Sequence, residues 1–243
     1  MNTPSTTTTR RTTERTRRPS GAGWPIAAAL VVLSLIPLSA GVLRLIQLAG
    51  GPSLMPAEER FAGFPAALVI HIAGSACFAL LGIGQLLTRF RRSHPTWHRR
   101  TGRVLVVAGL VVVGSALWLT IGYPAHPGTG PILFASRLLA ATAMGTFLVF
   151  GFAAVRRRDI TAHRAWMVRA YALALGAGTQ PFTEGFTEAA VGHGVVSGDL
   201  AKLAGWVINL AVAEWAIRHA ARTRRPRSDS HPHAGGRPQV GVR

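Results

Sequence analysis

The chain alternates between long apolar runs and short polar segments. The runs are about 20 residues long, and an α-helix of that length crosses the ~30 Å hydrocarbon core of a bilayer. A helix buried in a soluble domain does not need such a length. The pattern therefore predicts an all-α integral membrane protein, a bundle of about six transmembrane helices.

Six runs are predicted to span the membrane. The first is too long for a signal-peptide core and lacks a clear cleavage site, so we expect an uncleaved anchor. The last two are less regular, because Arg169 interrupts the fifth and the sixth contains Lys202 and Glu214. The predicted spans are residues 24–43, 66–87, 104–123, 132–155, 165–182 and 200–217.

Both ends of the chain are basic and hydrophilic. Residues 1–22 are rich in Thr and Arg, and residues 220–243 combine Arg with Pro and Gly. Neither segment has enough apolar residues to form a core, so both are predicted to be disordered cytoplasmic tails. The predicted organisation is one six-helix transmembrane domain, residues 23–219, between these two tails.

Positive charge is distributed unevenly. The net charge is +18, and 23 of the 27 Arg and Lys residues lie before residue 23, in segments 88–103 and 156–169, or from residue 218 onward. Six spans place all these clusters on one face, which the positive-inside rule identifies as cytoplasmic. We therefore expect cytoplasmic termini, a location in the cell membrane and contacts with anionic lipid head groups, and no nucleic-acid partner. Nothing in the sequence indicates the oligomeric state.

Motifs of known catalytic chemistry are absent from the sequence. The single cysteine, Cys77, lies in an apolar run and excludes both an internal disulfide and a multi-cysteine metal site. The chain has no GxSxG segment, no HExxH segment and no phosphate-binding glycine loop. The sequence favours no hydrolase and leaves open whether the protein is an enzyme.

Two ionisable residues lie in the outer parts of predicted spans. His71 is in the second span and Arg137 is in the fourth, at similar depth. Because burial of such groups in hydrocarbon is costly without a partner or a cavity, we expect a polar outer pocket in which Arg137 is paired, with Arg44, Glu184 and Glu188 in the same zone.

The helix face of His71 supports two interpretations. It carries a stripe of small and polar residues, namely Gly74, Ser75, Gly82 and Gln85. The bulky Phe78 interrupts this stripe. The stripe fits a helix-packing seam with one hydrogen-bonded histidine, and it also fits a histidine that binds a ligand or accepts a proton.

Two similar segments lie at the inner boundary, HPTWHRRTGR at 94–103 and RDITAHRAWMVR at 158–169. They place His98 and His163 at matching depth, so that both imidazoles are candidate axial ligands of one haem iron. Gly102 would leave room for the ring, and Arg99 and Arg164 would suit the propionates. The alternative is that both segments are arginine-rich anchors at the membrane interface.

Three further polar residues have structural interpretations. Asp159 precedes the fifth predicted span, where its carboxylate is well placed to cap the helix N-terminus. Arg169 and Glu214 lie in the inner halves of the fifth and sixth spans. We expect these two to form an ion pair, which would offset the cost of their burial.

These motifs resemble those of a family of predicted bacterial membrane proteins that is known only as a domain of unknown function. The resemblance extends from His71 to just beyond Trp166. It rests on His71 with Gly74, on Gln85, and on the HRxxGR and RDxxxHRxWMxR segments. It implies a multi-pass membrane protein and no particular reaction.

A more distant similarity is to the ascorbate-reducible two-haem b-type cytochromes, six-helix proteins in which the second and fourth spans hold one haem and the third and fifth hold the other. By this resemblance, His98 and His163 match the third-and-fifth pair. The other pair is incomplete, because the fourth span has Arg137 and Met144 and no histidine opposite His71. The resemblance therefore implies at most one haem b.

Three functions remain open from the sequence. The first is a membrane electron-transfer protein with one b-type haem. The second is a transporter or binder of a small solute that uses the outer polar pocket around His71 and Arg137. The third is a membrane subunit without catalytic activity or a protein that interacts with lipid.

Overall fold

The computed structural model of the chain describes residues 23–56, 58–61 and 64–223. Within these residues the chain forms eight α-helices and no strand. The helices are α1 (Gly23–Leu48), α2 (Ala66–Leu86), α3 (Thr88–Ser93), α4 (Pro95–Ile121), α5 (Pro131–Arg156), α6 (Ile160–Ala174), α7 (Gly176–Val191) and α8 (Val195–Arg222). The all-α prediction is confirmed.

Five of the described helices are long and apolar enough to cross a membrane, namely α1, α2, α4, α5 and α8. Large hydrophobic side chains are exposed along each of them, for example Val32, Leu80, Val107, Leu139 and Val212. An exposed apolar surface of this extent is unfavourable in water and favourable in lipid. The first four predicted spans and the sixth each correspond to one of these helices.

The fifth predicted span, residues 165–182, is divided into α6 and α7 at Leu175. The ψ angle of Leu175 is −5°, and the N–H of Gly178 bonds the carbonyl of Leu175 three residues earlier. A tighter turn therefore interrupts the regular helical ladder. Pro181 then lies inside α7 without an N–H to donate. Neither helix alone has the length of the other five.

Other helix boundaries also differ from the sequence prediction. α4 begins at Pro95, so the whole HRxxGR segment is helical instead of preceding the span, and the short helix α3 was not predicted. α8 continues to Arg222, which places residues 220–222 in a helix and not in the predicted tail. Residues 1–22 and 224–243 lie outside the described residues, so their predicted disorder stays a prediction.

The two ends of the bundle differ in charge. The α1–α2, α4–α5 and α7–α8 connections lie at what we call the Arg-poor end, where Phe61 contacts Tyr123 with ring centroids 5.0 Å apart. The α2–α4 and α5–α6 connections and the end of α8 lie at the Arg-rich end. The buried core between the ends includes Phe78, Met144, Leu148 and Tyr171, while α1 packs at the periphery against α2 and α7.

Candidate functional site

The helices enclose a cavity of about 830 Å³ between α1 and the rest of the bundle. It extends along α1 from Arg44 to Ser34, a rise of about 15 Å. Its volume is within the range of pockets that bind small molecules. The cavity extends from the Arg-poor end to the middle of the bundle, and its walls are mostly apolar.

A close crossing of α1 and α7 sets the shape of this cavity. Pro37 has no N–H, so the carbonyl of Leu33, one turn earlier, lacks its regular helical donor. A Cβ atom on Gly178 would overlap that carbonyl oxygen, so only glycine lets the two backbones come this close. Pro37 and Pro181 both line the cavity beside this crossing.

Most charged groups at the Arg-poor end of the cavity are paired. Arg44 donates to the carbonyl of Pro56 at 3.0 Å and to Glu58 at 3.3 Å. Arg60 donates to the other oxygen of Glu58 at 2.6 Å. Lys202 of α8 forms an ion pair with Glu184 of α7. These pairs offset much of the cost of taking the charges out of water.

Arg137 is the exception among the cations of the cavity. Its side chain lines the cavity wall. Arg60 is near enough to repel its charge, and Asp199, Glu58 and Glu184 are near enough to attract it, but no described residue forms a hydrogen bond or an ion pair with its guanidinium. The direct pairing that the sequence suggested for Arg137 is therefore absent among the described residues. Its five N–H donors are available to a molecule in the cavity.

His71 lies on the wall of the same cavity and bonds to α4. Its Nδ1 is 3.1 Å from Oγ of Ser115, and that hydroxyl is 2.7 Å from the carbonyl of Val111. Because the Ser115 hydroxyl donates its single hydrogen to the carbonyl, Nδ1 of His71 is the protonated nitrogen. The lone pair is then on Nε2. The structure thus places His71 and Arg137 in one cavity, as the sequence analysis expected.

The stripe along α2 forms a packing seam. Gly74 and Gly82 are buried, and a Cβ on Gly82 would overlap the ring of Tyr171. Phe78, which interrupts the stripe in the sequence, is itself buried and stacks on Tyr171 with centroids 5.8 Å apart. At the end of the stripe, Gln85 donates to the His98 carbonyl at 3.2 Å. The seam therefore holds α2 against both α4 and α6.

His98 and His163 lie together at the Arg-rich end, close enough for their charges to interact. Nδ1 of His163 donates to the carbonyl of Gly151 at 2.8 Å, which leaves its Nε2 as the nitrogen with a lone pair. Nδ1 of His98 is buried and has no hydrogen-bond partner. A Cβ on Gly102 would meet no atom closer than 4.0 Å. Arg99 and Arg164 directly follow these two histidines in the sequence.

The two structural interpretations at this end are confirmed. The carboxylate of Asp159 accepts from the N–H of Ala162 at 2.9 Å and caps α6. Arg169 forms a two-point ion pair with Glu214, in which the second contact, from Nη2 to Oε2, is 3.1 Å. The guanidinium of Arg169 also lies over the ring of Trp166, 4.7 Å from its centroid.

The sequence analysis did not identify Asp199. This residue of α8 is 1% exposed and accepts three backbone hydrogen bonds from the start of α5, from the N–H groups of Gly130 and Leu133. Its signal in the sequence is a single carboxylate before an apolar run, and that pattern also fits an ordinary exposed residue at a helix start. Tyr171, which donates to the carbonyl of Ala79 at 3.0 Å, was also missed.

Comparison with protein families gives one match. The model of a family described as "Predicted membrane protein (DUF2306)" matches residues 68–217, more than half of the chain. No curated protein and no solved structure matches the chain.

Proposed function

The chain belongs to this family of predicted membrane proteins of unknown function, and on that premise we propose that it binds a small solute inside the bilayer, in the cavity that contains Arg137 and His71. The observation that carries the proposal is Arg137, a cation on the wall of a large cavity without a protein partner among the described residues. Ionisable groups at such depth are costly and typically mark a binding or transport site.

We further propose that the protein crosses the membrane six times. α5 runs to the Arg-rich end and α8 starts at the Arg-poor end, so the chain between them has to return across the bundle. α6 alone would rise about 22 Å, less than the bilayer core, whereas α6 and α7 in series are long enough. A broken helix that lines a cavity is a common element of membrane binding sites.

The orientation is part of the same proposal. The positive-inside rule favours the Arg-rich end, and with it both termini, in the cytoplasm of a cell-membrane protein. Arginine side chains at this end are suited to contact anionic lipid head groups. The cavity would then open toward the outer side.

A binding experiment tests the proposed solute site. The purified chain in phosphatidylcholine nanodiscs is titrated with radiolabelled dodecanol and dodecyl phosphate, and empty nanodiscs give the background. Saturable binding above background is expected. Ala76 lines the cavity, so Ala76→Phe should obstruct the cavity and weaken the binding. Ala211→Phe, on an exposed face of α8, is the matched control and should retain it. Absence of binding to the wild-type chain for both probes would exclude this site.

A second candidate function is favoured by the two histidines at the Arg-rich end. The unpartnered Nδ1 of His98 and the carbonyl-bonded Nδ1 of His163 leave one nitrogen on each ring for a metal. At His163 this arrangement is typical of histidine ligands, whose other nitrogen is fixed by a backbone carbonyl. Such a pair fits a b-type haem, which would supply one-electron chemistry, with Gly102 providing space and the arginines binding the propionates.

The absorption spectrum tests this second candidate. Protein produced with haem available is expected to show a b-type spectrum. His98→Ala and His163→Ala should each abolish the spectrum because each would remove one ligand of the iron, whereas His71→Ala, in the cavity near the Arg-poor end, should leave it intact. A colourless wild-type protein, or a spectrum that survives in both single variants, would refute the haem.

A further inference from the structure

The charges around the cavity are not balanced. Among the described residues that line it, four are cationic and two are carboxylates: Arg44, Arg60, Arg137, Lys202, Glu58 and Glu184. The two carboxylates form ion pairs with three of the cations: Glu58 pairs with Arg44 and Arg60, and Glu184 pairs with Lys202. Arg137 therefore remains as a positive charge for which the cavity supplies no directly bonded counter-ion.

Asp199 does not neutralise Arg137 by contact. Both carboxylate oxygens of Asp199 accept backbone N–H groups at the start of α5, with donor–acceptor distances of 3.0 to 3.1 Å. The positive end of the α5 dipole compensates this negative charge. Asp199 lowers the electrostatic cost of Arg137 at a distance and leaves the guanidinium donors free for a ligand.

The polar and apolar parts of the cavity are separated along its length. Arg137 and His71 both lie within the first two turns of helices that start at the Arg-poor end, so they are at similar depth. Further along their helices from the Arg-poor end, the walls include Met144, and the side chains of Leu173 and Trp206 also line the cavity. A molecule that fills the cavity therefore has a head beside Arg137 and a tail among apolar side chains.

From this arrangement we infer that the ligand of the proposed solute site is an anionic amphiphile, a phosphate, sulfonate or carboxylate head group on an apolar chain. The guanidinium of Arg137 binds the head group by charge-assisted hydrogen bonds. For a phosphate head group that carries one proton, Nε2 of His71 accepts a hydrogen bond from its hydroxyl. The inference rests on the proposed function and adds the class of the ligand.

The test compares two probes that have the same dodecyl group and differ in the charge of the head group. In phosphatidylcholine nanodiscs, dodecyl phosphate should bind the wild-type protein about tenfold or more tightly than dodecanol, because hydrogen bonds to a charged group are the stronger ones. Arg137→Gln should remove this difference, because it removes the charge-assisted hydrogen bonds that favour dodecyl phosphate over dodecanol. The control variant Arg218→Gln removes the same charge from an exposed position far from the cavity and should keep the difference.

The outcomes separate this inference from the proposed function. Equal affinity for both probes, or a preference for dodecyl phosphate that persists in Arg137→Gln, would contradict the inference that the ligand is an anion bound by Arg137. The proposed solute site would not be affected by this result. Absence of binding by either probe would overturn both. If inorganic phosphate competes as strongly as dodecyl phosphate, the dodecyl group contributes nothing to binding. This result would overturn the inference that the ligand is an amphiphile.

A last arm identifies the source of the anionic head group. Part of the phosphatidylcholine is replaced by phosphatidylglycerol, and the binding of dodecyl phosphate is measured again. If phosphatidylglycerol competes with dodecyl phosphate and this competition depends on Arg137, the result supports a membrane lipid as the occupant. Unchanged binding supports a single-chain anion that enters the cavity. Both results are consistent with the inferred class.

Discussion

The carboxylate of Asp199 on α8 accepts a hydrogen bond from the backbone N–H of Leu133 on α5, with an oxygen–nitrogen distance of 3.0 Å. Both residues are almost fully buried. The first N–H groups of a helix have no partner within the helix, and here a side chain 66 residues away in sequence supplies one. This contact joins α8 to α5 beside the proposed solute site.

Asp199→Asn should destabilise the protein by about 2 kcal/mol, because an amide N–H₂ would face backbone donors and the charge that complements the α5 dipole is lost. The midpoint of thermal unfolding in detergent measures the effect. Asp159→Asn is the matched control, since Asp159 caps an exposed helix start and Asn caps as well as Asp does. Equal midpoints for both variants would contradict the assigned role of Asp199.

Gly178→Ala should lower the free energy of unfolding by about 1–3 kcal/mol, because the added methyl group overlaps the Leu33 carbonyl and forces α1 away from α7. Gly185→Ala in the same helix meets no atom within 4 Å and should be neutral or stabilising by up to about 1 kcal/mol. Chemical denaturation of both variants measures the difference. If the two substitutions have the same effect, the close crossing of α1 and α7 is wrong.

Arg158→Gly should stabilise the protein by about 1 kcal/mol. Arg158 has a φ angle of +63°, a left-handed conformation that costs an L-residue about 1–2 kcal/mol and costs glycine little. Arg157, with a φ angle of −83°, is the control, and Arg157→Gly should give no gain. Unfolding midpoints of the two variants measure the difference, and a gain from Arg157→Gly alone would contradict this account of the α5–α6 turn.

Reporter fusions test the proposed topology. Fusions after residues 22, 95, 160 and 225 should report a cytoplasmic location, and fusions near residues 55, 127 and 192 should report an external one. The expectation follows from the concentration of arginine at one end of the bundle. An external signal near residue 225 would show that α6 and α7 do not cross the membrane together, and an external signal at residue 22 would invert the orientation.

Much of the fold can be predicted from local sequence patterns. Apolar runs of the length of a bilayer predicted the positions of α1, α2, α4, α5 and α8, because the requirement for internal hydrogen bonds in lipid leaves few alternatives to a helix. The boundaries were less accurate. α4 starts nine residues before the apolar run at Val104, because the helix also includes the polar residues around His98.

The candidate sites were predicted only in part. The depth of His71 and Arg137 could be read from their distance to the span ends, and the structure places both on one cavity. The absence of a directly bonded partner for Arg137 among the described residues was not predicted. The sequence indicated acidic residues near the same boundary, and it could not show that they are taken up by other cations.

The sequence by itself determined that this is a helical membrane protein, which end of the bundle is rich in arginine, and that Arg169 and Glu214 would pair. These features follow from composition, helix length and depth, which are properties of single segments. Only the tertiary structure decided the break at Leu175, the crossing of Leu33 and Gly178, the burial of Asp199 at the start of α5, and the cavity. Each of these depends on atoms from helices distant in sequence, and the spacing of residues along one helix does not fix the rotation of that helix against its neighbours.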